Sequence, residues 1–174
     1  MNSNFLKKAT LFAKRAHDSI SQKRKYSDEP YYVHVERVAK LISSVTNDEE
    51  VIAAGLLHDV LEDVAPHNPN YCAEVIRDNF GDRVLKLVLE VTDVSKPSDG
   101  NRETRKAIDK AHLAKASPEG KTIKIADLID NIIDISKHDE HFAKIFKKEA
   151  FLELDDLRAG DKKLFARLEG LLLS

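Results

Sequence analysis

Apolar residues recur at helical spacing along nearly the whole chain, and strand-like alternation never survives beyond four or five residues. The pattern predicts helices near 3–21, 30–44, 48–64, 71–79, 81–93, 101–115, 119–136, 140–158 and 161–172. Several boundaries carry their own signals. Asn47, with Glu50 three residues later, reads as a capping box. Pro30 and Pro118 suit first-turn positions, the latter behind Ser117 as N-cap. Gly81 in "FGD" sits where one helix should end and the next begin. The loop "SKPSDGN" (95–101) is the most flexible stretch expected but is too short to separate domains, and neither a repeat nor a low-complexity tract is present. The expectation is one all-α domain over residues 1–174, a helical bundle.

Against that background the third helix is odd. Residues 51–61, "VIAAGLLHDVL", are apolar nearly all round, which marks a buried central element. Yet His58, Asp59, Glu62 and Asp63 follow on adjacent strips of one face. The segment "KTIKIADLIDNIIDI" (121–135) repeats the oddity, with Ile123, Ile125, Ile129, Ile132 and Ile133 around Asp127, Asp130, Asn131 and Asp134. In "PYYVHVERVAKLI" (30–42), His34 lines up with Val38 and Leu41 and so faces inward. Burying even a neutral polar group without a partner costs roughly 2–7 kcal/mol, so something must compensate these.

A divalent cation between the three helices is the economical answer. Its charge keeps Asp59 and Asp127 ionised while His34 and His58 coordinate as neutral imidazoles. Two imidazoles and two carboxylates without thiolate favour Mn²⁺ or Fe²⁺ over a structural Zn²⁺. Such an ion lowers the pKa of a water and polarises a phosphoryl oxygen. Glu62 and Asp63, one turn on, are then placed to orient or deprotonate that water.

Charge and composition narrow the partners. Lys and Arg total 28 against 30 Asp and Glu, a net charge of −2, so no global basic field attracts nucleic acid or anionic membrane. A single cysteine, Cys72, excludes an intramolecular disulfide and suits a reducing cytoplasm. The amphipathic start reads as a first helix rather than a signal peptide, and no apolar run approaches the ~18 residues of a membrane span. The apolar stripe in "KLFARLEGLLLS" is expected either to close the core or to form a homodimer face. "KHDEH" (137–141) is read as a polar helix junction, and His17 as structural.

Taken together, "PYYVH" (30–34), "LLHDVLED" (56–63), "FGDRVLKLVLEVTD" (80–93) and "KIADLIDN" (124–131) stand in the order and spacing of a known family. The chain resembles the HD-domain phosphohydrolases, more narrowly the hydrolase domain of RelA/SpoT homologues and the stand-alone small alarmone hydrolases. The resemblance implies a helical fold around one Mn²⁺ held by His34, His58, Asp59 and Asp127, with Glu62 and Asp63 activating water. It implies hydrolysis of the 3′-pyrophosphate of nucleotide alarmones such as guanosine tetra- and pentaphosphate. It further implies that Arg24 and Lys25 pack against the nucleotide, that Arg102 faces the substrate phosphates, and that Asn131 contacts the nucleotide.

Departures from the pattern fall around the nucleotide, not the metal. Ser27-Asp28-Glu29 replaces the usual glycine segment, Val35 replaces the common proline, Leu128 a basic residue, and Asp130 a frequent His or Tyr. They leave an adenosine alarmone as conceivable as a guanosine one. Two other readings differ in product: an HD nucleotidase acting on 5′-nucleotides or deoxynucleoside triphosphates would release phosphate or triphosphate. A nucleotide-binding regulator would bind without turnover.

Overall fold

The computed structural model describes residues 3–173. Among them run α1 (Asn4–Ser19), α2 (Tyr32–Ser43), α3 (Glu49–Leu57), α4 (Ala73–Phe80), α5 (Asp82–Val91), α6 (Arg102–Leu113), α7 (Pro118–His138), α8 (Glu140–Glu153) and α9 (Lys162–Leu173). No β-strand forms among the described residues; one isolated bridge joins Lys23 to Pro30. Helix α3 sits at the centre, with every residue from Val51 to Leu57 buried, packed against α1, α2, α5 and α7. Helix α7 is the second buried axis: Ile123, Ile125, Ile129 and Ile132 are at most 1% exposed. One apolar core runs from Leu6 to Leu168, so the C-terminal stripe closes the core through Leu164 and Leu168.

Local chemistry sets the boundaries. The cap of α3 is Asp48 rather than Asn47: its carboxylate accepts from the Glu50 and Val51 amides, 3.0 and 3.4 Å away. The expected capping box does not form, because Glu50 is drawn to Arg83, which also clamps Asp48 at 2.8 Å. A charged carboxylate there serves both the cap and the helix dipole. Ser117 caps α7 as expected, its Oγ accepting from Gly120 N. Gly81 takes φ +91, a conformation that favours glycine, between α4 and α5.

Two local features bear on the site. A Cβ on Gly55 would collide with Ile42 Cδ1, so this glycine lets α3 approach α2 closely and brings His58 towards His34. The continuous helix expected over 48–64 is interrupted: α3 ends at Leu57, His58 and Asp59 form a turn, and Val60–Val64 winds as a π-helix. In a regular α-helix neighbouring side chains diverge by about 100°. The break relieves this and turns both His58 and Asp59 to one point. Single-turn π segments of this kind recur at functional sites.

The segment between α1 and α2 folds back on itself through Arg24 N–Glu29 O (2.8 Å) and Tyr31 N–Gln22 O (3.1 Å). Asp28, in the stretch without a glycine, adopts φ +56. Aspartate tolerates that left-handed conformation better than most residues, and Lys23 holds its carboxylate at 3.0 Å.

Candidate metal centre and active site

His34 comes from the first turn of α2, His58 and Asp59 from the break after α3, and Asp127 from the middle of α7. His34 is fully buried and His58 nearly so. His58 Nδ1 lies 2.8 Å from Gly55 O, and His34 Nδ1 lies 2.7 Å from Asp130 Oδ2. A carbonyl or carboxylate oxygen only accepts, so Nδ1 carries the proton in both rings and Nε2 is left as the donor atom for an ion.

Both Nε2 atoms are buried and without a hydrogen-bond partner among the described residues. Carboxylate oxygens stand close but poorly aligned for hydrogen bonding. Asp59 Oδ2 is 3.0 Å from His58 Nε2 and 3.6 Å from His34 Nε2; Asp127 Oδ1 is 3.7 and 3.3 Å from the same two atoms. The donor atoms of His34, His58 and Asp59 all lie within 4.8 Å of one another. Ligands ~2.1 Å from a common ion stand roughly 3–4.2 Å apart. The orphaned nitrogens, the spacing and the donor types fit a divalent cation.

The imidazoles and carboxylates also stabilise one another's charge. Burial opposes charge on His34 and His58, but Asp127, Asp130 and Asp59 hold both above their ordinary value. Asp59 and Asp127 are held below the usual carboxylate range against their own burial, the former by His58, the latter by Lys124 and the two imidazoles. Lys124 Nζ donates to Asp127 Oδ2 at 3.1 Å and Asn131 Nδ2 to Oδ1 at 2.6 Å, which fixes the carboxylate's plane. Tyr31 Oη donates to Asp59 Oδ2 at 2.8 Å.

Glu62 and Asp63 stand one turn beyond the candidate ligands His58 and Asp59, anchored separately. Glu62 Oε2 accepts from the Asp93 amide at 3.1 Å; Asp63 Oδ2 accepts from Gln22 Nε2 at 2.7 Å. Although Glu62 keeps solvent exposure, partial desolvation with Asp93 and Asp59 nearby raises it to about 7, and burial with Asp59 raises Asp63 to about 6. Values near neutrality suit a group that takes up a proton during turnover.

The expected nucleotide contacts separate into two sets. Arg24 is 7% exposed; Nε and Nη2 donate to Asp134 Oδ2 at 3.2 and 2.9 Å, and Nη1 to Asn131 Oδ1 at 3.0 Å. Asn131 therefore bridges Arg24 to the candidate ligand Asp127. Lys25 is exposed, with Nζ 5.1 and 5.3 Å from the ring centres of Tyr26 and Phe142. Arg102, on α6, turns to Glu149 of α8 at 2.7 Å. A cavity of about 540 Å³ opens beside this region, lined by Tyr26, Arg37, Asp130, Asp134 and Lys137 among others.

Four residues at the site carried no sequence assignment: Gln22, Tyr31, Lys124 and, as a group touching a ligand, Asp130. Tyr31, Lys124 and Asp130 lie inside motifs already quoted and Gln22 lies two residues before Arg24, but their roles depend on contacts across 28 to 96 residues, or on the helix's own turn for Lys124.

Residues 9–151 match the HD domain family. The chain is 37% identical over 148 residues to a guanosine-3′,5′-bis(diphosphate) 3′-pyrophosphohydrolase of Aquifex aeolicus, covering 83% of this chain and 20% of that protein. It is 32% identical over 161 residues to the Drosophila melanogaster guanosine-3′,5′-bis(diphosphate) 3′-pyrophosphohydrolase MESH1, covering 85% of this chain and 83% of that one. A solved structure of a metazoan orthologue of SpoT, a protein that hydrolyses ppGpp and plays a role in starvation responses, is similar at a TM-score of 0.85 and 28% identity. That similarity spans 99% of this chain and 96% of the other. The buried His–Asp cluster and these relatives agree: the chain belongs to the HD-domain family, in the group that holds the guanosine-3′,5′-bis(diphosphate) 3′-pyrophosphohydrolases.

Proposed function

We propose that this protein is a metal-dependent phosphohydrolase that removes the 3′-pyrophosphate from a nucleotide alarmone, releasing pyrophosphate. The observation that carries the reading is the pair of buried imidazole Nε2 atoms, His34 and His58, facing Asp59 and Asp127 without hydrogen-bond partners. The names of the relatives supply the substrate class.

His34, His58, Asp59 and Asp127 would hold one divalent ion, for which we propose Mn²⁺. The ion supplies Lewis acidity towards a water and a phosphoryl oxygen. Glu62 accepts the proton from the attacking water; its Asp93 amide contact holds one oxygen still while the other is free for that role. Asp63 orients the same water from the Gln22 side. Asn131 keeps Asp127 in register, and Arg24 backs Asn131 from the nucleotide side. Lys25 and Arg102 are proposed to meet the substrate's nucleotide and phosphate groups. Residues 1–174 are proposed to act as one HD-type domain, since one core joins α1 to α9. No described helix is long and apolar enough to cross a membrane, and Cys72 fits a cytoplasmic setting.

The test is incubation of Mn²⁺-loaded protein with guanosine and adenosine 3′,5′-bis(diphosphate), with products separated by anion exchange. Pyrophosphate is expected from at least one of them. Release of phosphate or triphosphate instead, or binding without turnover, would count against the proposal.

A further inference from the structure

Asp130 is 7% exposed, and its contacts point to the metal rather than to a nucleotide. Oδ2 lies 2.7 Å from His34 Nδ1, and Arg24 Nη2 lies 4.0 Å from the same oxygen. His34 itself is fully buried. So little of Asp130 reaches the adjoining cavity that these partners carry most of its stabilisation. Arg24 keeps its charge under all ordinary conditions and is pinned by Asp134, so it supplies a fixed compensating cation behind Asp130.

We propose that Asp130 is a positioning residue for the metal centre, acting through His34. Its contact fixes the ring angle of His34, selects the Nδ1–H tautomer and pushes electron density towards Nε2. The two imidazoles differ in this respect. His58 leans on a neutral backbone carbonyl, Gly55 O, at 2.8 Å, whereas His34 leans on an anion. A carboxylate behind an imidazole makes it the stronger ligand and is costly to remove. The resemblance places position 130 in the nucleotide pocket. Here the oxygen nearest the centre is already committed to His34. The inference rests on the metal-centre reading given above.

The experiment is calorimetric titration of metal-free protein with Mn²⁺ alone, comparing wild type, Asp130→Leu and Asp130→Asn. The leucine variant is expected to bind Mn²⁺ about 10- to 100-fold more weakly. The asparagine variant retains a neutral acceptor for Nδ1–H, so only the share of that loss due to ring angle and tautomer is expected to return, and the share due to the carboxylate's charge is not. Melting temperatures of the metal-free proteins separate a binding effect from a folding one. Should the leucine variant not fold, long-range ¹H–¹⁵N spectra of Zn²⁺-loaded wild type and Asp130→Asn keep the test decisive. The His34 Nδ1–H resonance is expected to move upfield in the variant, and an unmoved resonance overturns the proposal. Equal Mn²⁺ affinity in wild type and Asp130→Leu overturns it while leaving the metal centre intact. A wild type that binds no divalent ion removes the metal centre and this inference together.

Discussion

Gln22 Nε2 donates to Asp63 Oδ2 at 2.7 Å, joining the loop after α1 to the π-helical turn. Because that amide nitrogen donates to a carboxylate, Gln22 Oε1 is left to accept from His17 Nδ1, also at 2.7 Å. His17 is fully buried, so a hydrogen-bonded chain runs from the core to one of the two carboxylates beside the ligands. Gln22→Leu should cut this chain. The expected result is a kcat lower by about 10- to 100-fold, the range for small misplacements near the chemistry, with Mn²⁺ affinity unchanged. Steady-state kinetics with parallel metal titration checks it; unaltered kcat would make the chain a packing feature only.

Glu62→Gln keeps the shape of the side chain and removes its basicity. Turnover is expected to fall by roughly 10²–10⁴, the usual share of a general base, while the metal stays bound. In wild type, kcat/KM rises with pH as Glu62 loses its proton. Partial desolvation and the nearby Asp93 and Asp59 raise that value to about 7, and a nearby cation lowers it. The acidic limb should therefore lie below pH 7 and disappear in the variant. Near-normal turnover in Glu62→Gln would transfer the base role to Asp63.

Metal and protons compete for His34 and His58. Both are held above about 6.5 in the metal-free chain, despite burial, by the carboxylates facing them. A raised histidine stabilises the fold fully below its unfolded value of about 6.5 and loses that contribution as pH rises through the folded value. Loading the site should then expel protons, more of them as pH falls. Calorimetry in two buffers of different ionisation enthalpy measures this directly. Affinity should rise with pH, and a pH-independent affinity with no proton release would contradict the charge state assigned here.

Arg24 presents a different situation from a solvated surface cation. Its pair with Asp134 is 2.9 Å long, with side chains 6% and 7% exposed. Removing one partner of such a pair typically costs about 3–5 kcal/mol, because the other charge is left buried. Arg24→Leu should lower the melting temperature strongly, and the double variant Arg24→Leu/Asp134→Leu should recover much of it. A single variant as stable as wild type would mean that Asp134 finds water or another cation.

The helical class and the chemistry-bearing pairs within each element were legible because they depend on local spacing. His58 and Asp59 are adjacent, and Asp127 and Asn131 are a turn apart. Two kinds of feature were not legible. The π-helical break after Leu57 accompanies a contact of His58 Nδ1 with Gly55 O, whereas propensity alone would continue the helix. The cap at Asp48 depends on Arg83, 35 residues away. Asp130 and Arg24 illustrate the same limit: the resemblance sets both at the nucleotide pocket, and their contacts with His34 and Asp134 join distant segments.

The central claim is that water attacks the phosphorus bonded to the 3′-oxygen, breaking that O3′–P link with pyrophosphate leaving intact. Hydrolysis of guanosine 3′,5′-bis(diphosphate) by the Mn²⁺-loaded protein in ¹⁸O-water, read by ³¹P NMR and mass spectrometry, tests it most directly. The account predicts one ¹⁸O in pyrophosphate and an unlabelled nucleoside 5′-diphosphate with a free 3′-hydroxyl. Label in the nucleoside, or single phosphate as the first product, would contradict it.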